Sequence, residues 1–156
     1  MDKDETIDGL NSLIEINNDR IEGYEKASQE TEENDLRSLF AAFIKTSQQC
    51  RMELIEEVRF LGGTPAQGTK ISGKFYRAWM DVKAALTGRD RKNILDSCEY
   101  GEDQAVETYD EVIEDFGDIS QGTSSPLKAM LMKQRNLIKA DHDRVKSLRD
   151  MERQGV

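Results

Sequence analysis

A chain of 156 residues with 37% hydrophobic and 34% charged residues has the length of one domain and enough apolar material for one core, and its net charge of −9 argues against a nucleic-acid surface. Two cysteines, Cys50 and Cys98, are too few for a disulfide scaffold. No window approaches the roughly 18 uninterrupted apolar residues of a membrane span. The start MDKDETIDG has neither a basic opening nor an apolar run of signal-peptide length, so the expectation is a reduced, cytoplasmic protein without a membrane or nucleic-acid partner.

The only prolines, Pro65 and Pro126, fall where a helix would stop or start, which argues for an all-α chain. A first helix is predicted from about Glu5 to Gln29: Ile7, Leu10, Ile14, Asn17, Ile21, Tyr24 and Ser28 recur by threes and fours and so form one stripe. A second is predicted from about Asn34 to Leu61, facing inward with Leu36, Phe40, Phe43, Ser47, Cys50, Leu54 and Val58 and ended by Gly62-Gly63. A second apolar band on it, Ile44, Met52 and Ile55, has no obvious partner within a bundle and suggests a subunit interface.

Residues 62–90 read as a long crossover carrying a short amphipathic helix, with Phe75, Trp79, Val82 and Leu86 at helical spacing. Its glycines lack the lysine spacing and preceding strand of a phosphate loop. A third long helix is expected from about Asp90 to Phe116, with Leu95, Cys98, Glu102, Ala105, Tyr109 and Val112 inward. A fourth opens with Ser125 as cap and Pro126 at its first position, then presents Leu127, Gln134, Ile138, Asp141, Val145 and Leu148. Eleven acids between Asp90 and Asp118, against eight bases between Lys128 and Arg153, mark the last two helices as charge-complementary neighbours. Two short links and one long one give a single domain over residues 1–156: two antiparallel hairpins joined by a crossover, the wiring of a ferritin-like four-helix bundle.

Heights counted at ~1.5 Å per residue, with the third helix running down beside the second, put Asn17, Ser47, Glu102 and Asp141 near one level, with Cys50 about a turn below and Asn18 and His142 on the flanks. A di-iron or di-manganese carboxylate centre takes a Glu from each of two helices and a Glu-x-x-His from each of the other two. With one histidine in the chain, and Lys139 three residues before it, that set cannot be assembled. Two readings follow. In one, the layer is a polar core without a cofactor, in which Asn17, Ser47, Gln134 or Arg51 supplies hydrogen bonds to Glu102 and Asp141. In the other, Glu102, Asp141 and His142, with Cys50 as a further candidate, hold iron, manganese or zinc. The cysteines themselves read as small buried hydrophobes, too far apart in height to pair.

The stretches LNSLIEINNDRIEGYEKA, FLGGTPAQGTKISGKFYRAWMDVKAAL and ILDSCEYGEDQAVETY, and the terminal HDRVKSLRD, resemble a bacterial domain-of-unknown-function family of ferritin-like four-helix bundles. The resemblance runs along nearly the whole chain. It rests especially on Asn-Asn-Asp-Arg at 17–20, the Gly73–Lys83 block, and Cys98-Glu99-x-Gly101-Glu102-Asp103. It implies a fold and brings no activity with it. The favoured expectation is a non-catalytic bundle with an eroded di-metal site that acts by association, as a homo-oligomer with a dimer favoured, in a stress-related setting that the wider superfamily suggests. The alternative is a metal-binding, oxidoreductase-like protein using Glu102, Asp141 and His142.

Overall fold

The computed structural model describes residues 2–68, 91–117 and 125–154. Among the described residues there are four helices and no strand: α1 Lys3–Glu30, α2 Asn34–Phe60, α3 Arg91–Gly117 and α4 Ser125–Gln154. None is long and apolar enough to cross a membrane. The crossover helix expected around Phe75 to Leu86, the Gly73–Lys83 block and the link before Ser125 lie outside the described residues.

Local chemistry sets the ends. Asp2 caps α1, its carboxylate accepting from the Glu5 N–H at 2.8 Å, which starts the helix at Lys3, about half a turn before the Glu5 that hydrophobic spacing suggests. Thr31 turns the chain into α2: its N–H closes on the Ala27 carbonyl, and its hydroxyl accepts from the Glu33 N–H. At the far end of α2 the Gly62 N–H bonds Arg59 O and the Gly63 N–H bonds Val58 O, both at 2.9 Å, with Gly62 at φ +83°. This is the Schellman ending, and only glycine adopts that φ without strain. Gly63 then lies so close to α1 that a Cβ there would stand 2.8 Å from Ile7 Cγ2. From this point residues 64–68 run along α1, held by Asn11, which bonds both Thr64 O and the Ala66 N–H, and by Asn18 on Gly68 O. α4 begins at Ser125 itself rather than one residue after it.

Neighbouring helices are all antiparallel. α1 packs against α2 and α3, and α4 packs against α3 and α2, so α2 and α3 face each other across the diagonal. The expectation that α3 descends beside α2 is corrected here: α3 lies beside α1, where the absence of a side chain at Gly9 leaves its Cα region within van der Waals reach of Val112 and Phe116. The core is built from the stripes, with Leu10, Ile14, Phe40, Phe43, Leu95 and Ile138 wholly buried. Of the second band on α2, Ile44 and Ile55 pack against this core after all, and Met52 is the one left exposed. On the outside, α3 and α4 are laced by Arg135 to Asp110 at 2.9 Å and by Arg149 to Glu99, while Arg91 ties α3 to Glu33 and Asp35 at the start of α2.

Candidate functional site: an arginine inside the polar layer

Midway along the bundle the side chain of Arg20 is wholly buried, and its guanidinium reaches all three other helices. Nη1 donates to Ser47 Oγ on α2 at 2.5 Å. Nη2 donates to Glu102 Oε1 on α3 at 2.7 Å and to Asp141 Oδ2 on α4 at 3.1 Å. The Tyr24 hydroxyl, one turn further along α1, donates to the same Glu102 oxygen. Its ring lies under the guanidinium at 5.7 Å and packs on Phe40 and Phe43. Three of the four expected residues, Ser47, Glu102 and Asp141, therefore meet, and they meet on a cation that periodicity had left out.

Asn17 belongs to a second chain of bonds, one turn away. Its amide donates to Leu13 O and to the Tyr109 hydroxyl at 2.9 Å; Tyr109 donates to Gln134 Oε1 at 2.7 Å, and Gln134 donates to Glu53 Oε1 and to the Cys50 carbonyl. Gln134 thus serves this second chain rather than the carboxylates of the first. Arg51 turns outward to Asn18 at 3.0 Å. Cys50 and Cys98 are free and buried.

The electrostatics follow from burial. Desolvation works against the charge on Arg20, but Glu102, with Tyr24 and Asp141, outweighs it and holds the guanidinium above its usual range. Burial pushes the Asp141 carboxyl up to about 6, against the pull of Arg20; the longer of the two Arg20 carboxylate contacts is to this residue. Burial, then the neighbouring Glu102, raises Tyr24 well above the usual phenol, and burial likewise raises Cys50 to about 11.

His142 does not join this layer. Its Nε2 faces Asp103 Oδ1 on α3 at 2.5 Å and its Nδ1 faces Asp143 Oδ1 at 3.0 Å. A hydrogen bond from Lys139, then the contact with His142, holds the Asp143 carboxyl below the usual range. Among the described residues one set of three ligand-type side chains brings its donor atoms within 4.8 Å of one another, and it is Glu99, Asp103 and His142.

The model of a domain-of-unknown-function family, DUF2383, matches residues 5–115. The chain belongs to that family. Among solved structures, this DUF2383 protein is similar to one described as a ferritin-like, diiron-carboxylate protein from Bacillus anthracis str. Ames, with a TM-score of 0.67 and 17% identity over 97% of this chain and 99% of that one. The fold is therefore ferritin-like. A search of curated proteins finds no match.

The residues of the buried layer do not fit a di-metal centre. Such a centre takes four carboxylates and two imidazoles projecting inward. Here the layer offers two carboxylates, a serine, and a guanidinium already bonded to both carboxylates. Glu102 Oε2 is the one oxygen of that carboxylate without a hydrogen-bond partner, too little for a metal pair beside a fixed positive charge.

The missed residue has a sequence signal. Arg20 follows Asn17 by three and precedes Tyr24 by four, which places it on their face of α1, and it closes the Asn-Asn-Asp-Arg stretch on which the family resemblance rests.

Proposed function

We propose that this protein is a non-catalytic ferritin-like bundle in which an internal ion-pair network stands where related folds keep metal, and that it acts through association with other protein, first of all a second copy of itself, in the cytoplasm. The observation that supports the reading is the single guanidinium of Arg20 bonding Ser47, Glu102 and Asp141 from three different helices. A fixed cation there neutralises the carboxylates that a metal would use and repels a divalent ion from the same space. Chemistry routed through the core is then closed off, and the surface is left to carry the role. The stress-related setting rests on analogy with the superfamily alone.

The test has two arms. Ferrous iron is added anaerobically to the purified protein and air is admitted; the expected result is no di-iron absorption and no accelerated iron oxidation over buffer. Light scattering coupled to size exclusion is expected to give twice the chain mass. Two irons per chain, lost in Glu102→Gln, would overturn the core reading; a monomer at all concentrations would overturn the association with a second copy.

A further inference from the structure

Between α3 and α4, outside the buried layer, three side chains of mixed donor chemistry converge. The His142 side chain is only 9% exposed, and its ring is fixed from behind by Asp143 at 3.0 Å, which is itself held by Lys139 at 2.8 Å. Its other nitrogen, Nε2, points across to α3. There Asp103 meets it directly, and Glu99, one turn earlier on the same face, brings a third donor atom within 4.8 Å. A histidine whose far nitrogen is held by a carboxylate while the near one faces further carboxylates is the arrangement that orients an imidazole toward a metal. Two of the three, Asp103 and His142, also line a cleft of about 270 Å³, whose α3 wall carries carboxylates from Asp103 to Glu114 and whose α4 wall carries Lys139 and His142. Such a wall concentrates small cations at its head.

We propose that Glu99, Asp103 and His142 form a surface site for one divalent first-row metal ion, zinc being the best match to one imidazole and two carboxylates. Zinc sits about 2.0–2.2 Å from nitrogen and oxygen donors, which sets ligand atoms a little over 3 Å apart. The 2.5 Å between Asp103 and Nε2 therefore has to widen by about 1 Å as the carboxylate turns aside to admit the ion, and the Asp103 side chain, 55% exposed, has room to turn. Glu99 has to leave Arg149. That arginine has two other carboxylates at hand, Asp150 at 3.1 Å and Asp96 at 3.7 Å, so its charge keeps partners when Glu99 turns. Solvent completes the coordination from the cleft. The site uses neither Glu102 nor Asp141, so it stands or falls independently of the core reading.

One-to-one stoichiometry and ligand-field bands supply a test that general attraction of cations to an acidic surface does not pass, and Arg149 checks the part played by Glu99. Zinc chloride titrated into the chelator-free protein, followed by calorimetry, is expected to show one site per chain. Asp103→Asn, on an exposed side chain, weakens it more than about tenfold, as does His142→Ala if circular dichroism shows it folded. Arg149→Gln, which releases Glu99, tightens it. Cobalt in place of zinc develops visible bands that are lost in Asp103→Asn. Unchanged affinity in Asp103→Asn, weaker binding in Arg149→Gln, or several equivalent weak sites would each overturn the assignment.

Discussion

Replacing Arg20 by methionine keeps most of the stem's volume and removes the charge. The perturbation is large because nothing else in the layer can take the guanidinium's place: Glu102 is wholly buried and would keep only the Tyr24 hydroxyl, while Ser47 and Asp141 would each lose the bond described above. Removing one partner of a buried pair costs about 3–5 kcal/mol, chiefly because the other is left uncompensated. For a chain of this size that is a fall in melting temperature of about 6–20 °C. The assay is urea unfolding followed by far-ultraviolet circular dichroism on Arg20→Met, Glu102→Gln and the double variant. In the double variant Glu102 is no longer a stranded carboxylate, and of the carboxylates only Asp141 keeps a lost bond, so its loss should fall short of the sum of the singles by about 1–3 kcal/mol. Additive losses, or a cost below about 1 kcal/mol for Arg20→Met, would refute the view that this ion pair holds the centre of the bundle.

Tyr24→Phe leaves the ring on Phe40 and Phe43 and takes only the hydroxyl from Glu102; a loss of about 1–3 kcal/mol in the same urea assay is expected. Gly63→Ala forces a methyl to within 2.8 Å of Ile7 Cγ2 and should cost about 1–3 kcal/mol, a penalty that shrinks in an Ile7→Ala background. High pH should destabilise the fold. Burial raises Cys50 to about 11, and raises Cys98, Tyr24 and Tyr109 as well, so the folded chain keeps protons that the unfolded chain gives up. Stability is then lost as pH climbs from about 9 toward 11, by up to about 1.4 kcal/mol per pH unit for each such group. A urea midpoint that holds steady or rises over that range would contradict this.

Most of the architecture was legible because helix stripes announce themselves: Leu36, Phe40, Phe43 and Leu54 recur at helical spacing and are all buried. Gly62-Gly63 signalled the end of α2 because a left-handed residue there has few substitutes. Which helices are neighbours was less legible, since link length constrains direction more than position, and α3 proved to lie beside α1. Arg20 escaped for a different reason. Arginine on a helix is ordinarily a solvated residue, and only partners contributed by three distant segments make its burial tolerable. Tyr24 was visible as an apolar stripe member, but its use of the hydroxyl on Glu102 depends on the same long-range assembly. His142 could be placed on a flank by periodicity, whereas its turn toward Asp103 instead of Glu102 is decided by a fraction of a helical turn in phase.

The positive charge at the centre of this bundle is made on the ribosome. A metal ion in that place has to be acquired, inserted in the right oxidation state, and defended against chelators and competing ions. A guanidinium carried by α1 arrives with the polypeptide and cannot be exchanged or oxidised away under the same conditions. On the function proposed above, the fold's maturation is detached from the supply of iron, and a cell short of that metal builds this core as readily as one that has plenty.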